Sequence, residues 1–306
     1  MSRWPRKRGC SNGHTVSDKA LRPVRPDQPH VPPGLPQGPG RTRAGAGPQA
    51  AGTGGVAVTA ARPAFYVGVH QPCDAQHFDR CMVSVNRLET RKRDFYPNQW
   101  IMDSGAFTRI SKGKGHLPVE AYARQIERWA KCGTLAAAVA QDYMCEPFIL
   151  EKTGLTVEAH QRLTIERYDA LLALEPLAYI MPVLQGYQPQ EYVDHIRQYA
   201  DRLKPGMWVG VGSVCKRNSR VQEVEAVATA IARERPDLRL HLFGLKTTAL
   251  RSLLVNCTIF SADSMAWSFA ARREGRNAND WQEAVHFTER IESQPLEPSQ
   301  LALVAA

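Results

Sequence analysis

Two aspartates, Asp103 and Asp263, each follow a short apolar run, and each is followed by small or turn-forming residues. The first run lies in residues 100–107 (WIMDSGAF) and the second in residues 259–267 (IFSADSMAW). In a parallel α/β barrel, side chains at the carboxyl ends of strands converge on one mouth, where the chemistry takes place. Two carboxyl groups across one pocket suit cleavage and re-formation of a glycosidic bond.

The elements that must position these aspartates alternate along the chain, as in parallel βαβ units. Short apolar runs predict strands at residues 65–69, 81–85, 100–102, 136–141, 179–184, 208–211, 240–243 and 259–261. Helix-like periodicity lies between them, at residues 118–131, 156–174, 188–203, 220–235 and 247–255. Eight strands favour an α/β fold, a (β/α)8 TIM-like barrel over residues 63–293. A doubly wound open sheet is the alternative, but no GxGxxG dinucleotide turn supports it.

Polar residues follow nearly every predicted strand and would line the mouth of such a barrel. A lone aspartate after a strand is more often a helix N-cap than a catalyst, so the coincidence across strands carries the prediction. Glycines at strand ends would let a flat ligand approach the backbone closely. The polar residues are His70, Gln71, Asn86, Asp103, Asp142, Gln185, Lys216, Lys246 and Asp263, and the glycines are Gly105, Gly186, Gly210, Gly212 and Gly244.

A basic cluster follows the same strands and could form a rim that tracks phosphates, with Trp267 and Phe269 as stacking surfaces. The alternative is that these residues are ordinary solvated helix starts. Lys and Arg at a helix N-terminus oppose the helix dipole, which favours a functional role for Arg272, Arg273 and Arg276. The cluster consists of Lys112, Lys114, Lys216, Arg217, Arg220, Arg272, Arg273 and Arg276.

The formal net charge of +9 comes mostly from the first 62 residues, which hold ten Lys and Arg against two Asp. This segment is rich in proline and glycine and poor in large apolar residues, so we predict that it is disordered. It is either a basic arm that grips phosphates, a spectator tail, or the product of a start codon assigned too far upstream. Residues 294–306 are predicted to be a C-terminal tail.

The composition excludes several classes of protein. No apolar run approaches the roughly 18 residues of a membrane span, so we expect no membrane association. The chain begins with charged residues and prolines, which is unlike a secretory signal, and we expect a reduced, cytoplasmic setting. The seven cysteines are scattered without CxxC spacing, so we expect neither a disulfide framework nor a metal site.

Several segments resemble the tRNA-guanine transglycosylases. Residues 103–107 (DSGAF) are similar to their Asp-Ser-Gly-Gly-Phe motif, and residues 184–186 (LQG) to their Val-Gln-Gly element. Residues 209–213 (VGVGS) occupy the position of the Gly-Gly-Leu pocket wall of those enzymes, and Asp263 occupies the position of their nucleophilic aspartate. The DNA deazapurine transglycosylases, the DpdA family, are closer still. Residues 100–107, 141–147 (QDYMCEP), 210–217 (GVGSVCKR) and 261–267 are similar to segments of that family, and the resemblance covers residues 65–293.

The resemblance implies an enzyme that exchanges guanine in DNA for a 7-deazaguanine base, with 7-cyano-7-deazaguanine as the expected substrate. It implies that Asp263 is the nucleophile at C1′ and that Asp103 is the general acid and base. Its partners would be DNA, the free base and, as an open question, a helper ATPase or other modification-system protein. The exchange needs no nucleotide hydrolysis and no redox cofactor. The residues expected to hold the base are Asp142, Gln185, Gly186, Gly210, Gly212, Ser104, Phe107 and Lys246.

One departure separates the chain from the tRNA enzymes. They carry a Cys-x-Cys-x-x-Cys and His zinc site after the last catalytic strand, whereas Cys257 stands alone before Asp263 and no ligand set follows. We therefore expect no zinc subdomain. Three alternatives remain: a zinc-less tRNA-guanine transglycosylase, a non-catalytic nucleic-acid-binding partner subunit, and a metal-dependent barrel hydrolase. The last is the weakest, because no His-x-His or clustered carboxylate set stands at the strand ends.

Overall fold

The structure is a computed structural model that describes residues 62–217 and 220–299. The predictions for residues 1–61 and 300–306 therefore lie outside the described residues. The strands of the described part are β1 (Ala64–Val69), β2 (Arg80–Ser84), β3 (Gln99–Asp103), β4 (Thr134–Val139), β5 (Ile180–Met181), β6 (Val183–Leu184), β7 (Trp208–Val211), β8 (Arg239–Leu242) and β9 (Ser261–Ser264). The helices are α1 (Ala106–Ser111), α2 (Val119–Trp129), α3 (Pro147–Thr153), α4 (Val157–Leu172), α5 (Pro189–Tyr199), α6 (Val221–Glu234), α7 (Thr247–Arg251), α8 (Leu253–Thr258), α9 (Ala266–Arg273) and α10 (Trp281–Ser293).

All strand pairs run parallel, in the order β5-β4-β3-β2-β1-β9-β8-β7-β6. The two ends of this order, β5 and β6, are halves of one chain segment interrupted at Pro182. Nine assigned strands therefore occupy eight positions around a nearly closed barrel, with helices alternating along the chain. The predicted α/β barrel is confirmed.

The strands are buried because both of their faces pack: the barrel interior lies on one side and the helices on the other. All six residues of β1 are buried. Inside the barrel, the Tyr66 ring lies 5.9 Å from the Trp208 ring and 6.1 Å from the His241 ring. On the outside, α2 turns Tyr122, Ile126 and Trp129 into the core, which is the helical spacing that the sequence indicated.

Among the predicted elements that differ from the structure, two lie near the last strand. The predicted helix 247–255 is two helices, because the Ser252 side chain accepts a hydrogen bond from the Val255 N–H at 3.2 Å and caps a new helix start. The last strand spans Ser261–Ser264 rather than residues 259–261, so Asp263 lies within the strand end instead of after it. The sequence analysis did not predict α1, α3, α9 and α10.

Pro182 interrupts the sheet where the barrel closes. The Pro182 carbonyl accepts the Gly210 N–H at 2.8 Å, but proline has no N–H to return to β7. The Tyr179 hydroxyl supplies the missing partner: it donates to the Trp208 carbonyl at 2.7 Å and accepts the Trp208 N–H at 3.1 Å. A side chain therefore replaces one step of the backbone ladder at this seam.

We expect Tyr179→Phe to lower the free energy of unfolding by about 1–3 kcal/mol, because it leaves the buried Trp208 backbone groups without a partner. Chemical denaturation measures this change. Tyr96→Phe is the matched control, since Tyr96 is 76% exposed. Equal stability of the two variants would contradict the role assigned to the Tyr179 hydroxyl.

Candidate active site

A cavity of about 600 Å³ opens at the carboxyl ends of the strands. Three aspartates, Asp103, Asp142 and Asp263, are among the residues that line it. They come from the ends of three separate strand positions, which is where a barrel of this kind gathers its functional groups. Of the other residues predicted to hold a base, Gln185, Gly212 and Phe107 also line the cavity.

Asp103 stands at the end of β3 with its carboxylate turned back on its own chain. Its Oδ2 accepts the Gly105 N–H at 3.1 Å, and Ser84 of the neighbouring strand also donates to it. Gly105 has φ +72°, and a side chain there would meet Asn86, so this tight turn requires glycine. Burial, together with the negative charge of Asp263, raises the pKa of Asp103 to about 6. Asp103 can therefore hold or release a proton near neutral pH.

Asp142 is held by neutral donors. Ser104, itself buried, donates to Oδ1 at 3.3 Å, and the Gln185 amide nitrogen donates to Oδ2. Burial and the nearby Asp103 charge raise the pKa of Asp142 to about 7. Ser104 thus supports the site from behind Asp142 rather than from the cavity wall.

The backbone of Gln185 is fixed from below. Its N–H donates to His195 Nδ1 at 2.8 Å, and its carbonyl accepts from the Gln161 amide at 2.8 Å. Burial lowers the pKa of His195 to about 3, so this ring stays neutral and can accept. The Gln185 side chain is therefore presented to Asp142 by a rigid support.

Asp263 is oriented by one side chain and one backbone N–H. The Gly244 N–H donates to Asp263 Oδ1 at 3.0 Å, and His241 Nε2 lies 3.3 Å from the same oxygen. The tautomer of His241 follows from its neighbours. Trp208 Nε1–H can only donate, and it does so to Ser261 Oγ at 2.8 Å.

The Ser261 hydroxyl hydrogen is then free for His241 Nδ1, which lies 2.9 Å from Ser261 Oγ. With Nδ1 as the acceptor, Nε2 carries a hydrogen and donates it to Asp263. Trp208, Ser261 and His241 thus form a chain of donors that ends on the Asp263 carboxylate. We call these three residues the tautomer chain.

Two glycines leave room for the other side chains of the cavity. A Cβ at Gly212 would lie 2.1 Å from the Gln185 amide nitrogen, and a Cβ at Gly210 would lie 2.5 Å from the Phe243 ring. Neither position can carry a side chain without displacing a residue of the cavity wall. Gly210 lies beneath Phe243 rather than at the cavity surface, and Gly186 packs against Tyr192.

Glu146 and Ser213 line the cavity beside Gln185, and the sequence analysis assigned neither of them a role. Both lie in segments that carried the family resemblance, residues 141–147 and 210–217, so a signal was present. Glu146 is 2% exposed, and burial raises its pKa. Ser213 has a positive φ of 54°, which turns its hydroxyl toward Glu146 and Gln185.

The rim of the cavity carries aromatic and basic groups. Phe107 is 39% exposed, and its ring centroid lies 6.2 Å from that of Phe148. Lys216 Nζ lies 5.3 Å from the Phe107 ring centroid. This is a cation–π contact at the mouth. Lys246 is exposed at the start of α7 and does not line the cavity.

The predicted basic cluster is divided by the structure. Arg217 is buried: its guanidinium donates to the Ser213 carbonyl at 2.9 Å and lies 4.1 Å from the Tyr187 ring. Arg276 forms ion pairs with Glu274 and Glu283. Arg272 and Arg273 are exposed in the last turn of α9, so the predicted helix start, and the dipole argument that rested on it, are wrong for these two residues. Burial lowers the pKa of His70 at the cavity edge, and the charges of Arg87 and Arg272 lower it further.

Within residues 62–217 and 220–299, no group of three or more His, Cys, Asp or Glu side chains is placed to hold a metal ion. None of the helices described here is long and apolar enough to cross a membrane.

Comparison with models of known protein families matches residues 61–280 to DpdA, DeoxyPurine in DNA protein A. The match covers more than half of the 306 residues and includes all three cavity aspartates. No curated protein matches the chain. The family match agrees with the barrel and with the carboxylates at its mouth: this chain belongs to the DpdA family, whose members are transglycosylase-type enzymes of DNA modification.

Proposed function

We propose that this protein replaces guanine in DNA with a 7-deazaguanine derivative, 7-cyano-7-deazaguanine being the expected base, through a covalent bond between Asp263 and deoxyribose. The observation that carries the proposal is the set of three aspartates in one cavity, in three different hydrogen-bonding environments. One is oriented for attack, one can carry a proton near pH 7, and one is paired with an amide as a base-binding group would be.

In the first half of the reaction, an Asp263 carboxylate oxygen attacks C1′ and the bond from C1′ to guanine N9 breaks. The departing guanine keeps the electron pair of the broken bond and takes a proton from Asp103. The Gly244 N–H and the tautomer chain hold Asp263 in its attacking orientation. The protonated form of Asp103 is available because its pKa is raised to about 6.

In the second half, the incoming base gives its N9 proton to the Asp103 carboxylate. N9 then attacks C1′ and the bond to Asp263 breaks, which restores the starting state of both aspartates. Asp142 and Gln185 would receive the base edge: a carboxylate accepts the N1–H and N2–H of guanine, and a 7-deazaguanine presents the same edge.

A base inside duplex DNA cannot reach the cavity, so the target guanosine must be flipped out or presented on a single strand. We propose that Phe107, Lys216, Arg272 and Arg273 meet the nucleic acid at the rim. Arg217 and Arg276 act differently in this proposal, because their guanidinium groups are already held by protein partners. Whether a helper ATPase takes part is an open question.

The decisive experiment measures incorporation of a radiolabelled 7-deazaguanine base into duplex DNA, single-stranded DNA and tRNA in parallel. We expect label in DNA alone and no label with Asp263→Ala, which lacks the nucleophile. A denaturing gel should show a protein–DNA adduct with the native chain and none with the variant. Incorporation into tRNA alone would show that the protein is a tRNA-guanine transglycosylase. Activity of Asp263→Ala would exclude the covalent mechanism through Asp263.

The rate of guanine release in a single turnover should fall about tenfold per pH unit above pH 6, because the general acid must be protonated and this form is lost above its pKa. Asp103→Asn should remove this limb of the profile and slow release by about 10²–10⁴-fold. Asp201→Asn, a change at an exposed surface position, is the control. A native rate that is flat between pH 6 and 8 would exclude Asp103 as the acid.

His241→Phe should lower kcat by about 10²-fold with little change in KM, because Asp263 loses the donor that orients it while base binding is untouched. His241→Gln keeps an N–H near Asp263 and should restore part of the loss. His286→Phe, at an exposed position of α10, is the matched control. Full kcat in His241→Phe would show that the tautomer chain does not position the nucleophile.

A further inference from the structure

The loops after β1 and β2 form the side of the cavity that lies across the barrel from the residues proposed to hold the base. β1 and β2 lie between β9, which carries Asp263, and β3, which ends at Asp103. Asp142 and Gln185 follow β4 and β6 on the other side of the barrel. A nucleotide whose base edge meets Asp142 and Gln185, and whose C1′ meets Asp263, therefore directs its sugar and phosphates toward β1 and β2.

Two polar side chains of these loops line the cavity and contact each other. His70 directly follows β1, and Arg87 lies three residues after the end of β2. Arg87 is exposed, and its Nη2 lies 3.4 Å from His70 Nδ1. Neither side chain has a part in the proposed chemistry at C1′, so their position calls for another explanation.

The neighbours of His70 determine which of its ring nitrogens accepts. The Ser268 hydroxyl donates to the Ala278 carbonyl at 2.9 Å, because a carbonyl can only accept. Ser268 Oγ must then accept from His70 Nε2, which lies 2.7 Å away and carries the ring hydrogen. His70 Nδ1 is left as an acceptor for the Arg87 guanidinium. Burial, followed by the charges of Arg87 and Arg272, lowers the pKa of His70, so the ring is neutral at pH 7.

A neutral acceptor orients Arg87 without neutralising its charge. Within residues 62–217 and 220–299, neither Arg87 nor Arg272 forms an ion pair with Asp or Glu. By contrast, Arg109, from the loop side of β3, is paired with Glu89. The charges of Arg87 and Arg272 both act on His70, so this side of the cavity carries positive charge that an anion can balance. A guanidinium matches the geometry of a phosphate, which it binds through two parallel N–H groups.

We propose that Arg87 binds one of the two phosphates that flank the target deoxyribose, and that His70 is the positioning residue that holds the guanidinium in place. The inference rests on the proposed function, because the direction of the sugar follows from C1′ at Asp263 and the base at Asp142. A phosphate contact fixes the register of a nucleic acid without reading its sequence. The contact would therefore hold the deoxyribose against Asp263 and leave binding of the free base unchanged.

Binding of the full chain to a single-stranded oligodeoxynucleotide with one guanosine, measured by fluorescence anisotropy, tests the contact. A methylphosphonate, in which a methyl group replaces the charged oxygen, is placed on the 5′ or the 3′ side of that guanosine. We expect one of the two positions to weaken binding to the native protein about tenfold. Arg87→Gln should weaken binding to unmodified DNA about as much. The same methylphosphonate should then cause no further loss, because the two changes remove one contact.

The salt dependence of binding gives a second measurement on the same variant. The slope of log K against log salt should decrease by about 0.7 in Arg87→Gln, the value for one phosphate contact on a single strand. Arg124→Gln, the same chemical change at an exposed position of α2, is the matched control and should keep the native affinity and the native response to both methylphosphonates. The affinity of Arg87→Gln for free 7-deazaguanine, measured by calorimetry, should equal that of the native protein.

Two variants of His70 test its positioning role. His70→Phe removes the acceptor of Arg87, so the difference in affinity between unmodified and methylphosphonate DNA should shrink. His70→Asn keeps an acceptor oxygen near the position of Nδ1 and should restore that difference. A purely structural role of His70 would lower the affinity for both DNA forms equally.

The possible outcomes separate the phosphate contact from the proposed function. If Arg87→Gln loses as much affinity from the methylphosphonate as the native protein does, Arg87 does not bind that phosphate. Equal binding of all three oligonucleotides by the native protein would also overturn the contact, while incorporation of a 7-deazaguanine base into DNA would still support the proposed function. A native protein that neither binds DNA nor incorporates the base would overturn the proposed function, and the phosphate contact with it.

Discussion

The structure depends on one constraint: three largely buried aspartates line one cavity, and each negative charge there must be stabilised or neutralised. In the described part of the chain, the hydrogen bonds to these carboxylates come from backbone N–H groups, hydroxyls, an amide and an imidazole, and none comes from a guanidinium or ammonium group. A guanidinium or ammonium partner would hold a carboxylate ionised far below neutral pH. With such donors, Asp103 and Asp142 can gain and lose protons near neutral pH, where exchange chemistry needs them.

The sequence predicted the parts of this arrangement that depend on strand ends. Asp103, Asp142, Gln185 and Asp263 all stand where a short apolar run ends, and a parallel barrel brings such ends together whatever their distance along the chain. The predicted strand before Asp263 begins two residues earlier than β9. Residues 259 and 260 are apolar, as strand residues are, but in the structure they connect α8 to β9. That error did not affect the aspartate's place at the mouth.

The residues that tune the aspartates could not be predicted in the same way. His241 lies inside an apolar strand, and its function depends on the register that pairs it with Gly210 on one side and Ser261 on the other. Two-residue ladders such as that between β8 and β9 give no periodic pattern from which a register could be read. Glu146 precedes a helix-starting proline, where a carboxylate is an ordinary N-terminal residue, and only the positive φ of Ser213 turns the hydroxyl that gives Glu146 its partner.

The two glycines that pack against cavity side chains, Gly210 and Gly212, have a consequence for how the base preference of such an enzyme evolves. Gln185 fills the space that a side chain at Gly212 would need, and Phe243 fills the space at Gly210. Close packing therefore prevents substitution of either glycine. Selection for a differently decorated purine must act elsewhere on the wall. The positions left to vary are lining side chains that are not packed against these glycines, among them Met144 and Phe107. Diversity of substrate in a lineage with this backbone would accumulate at such positions while Gly210 and Gly212 stay fixed.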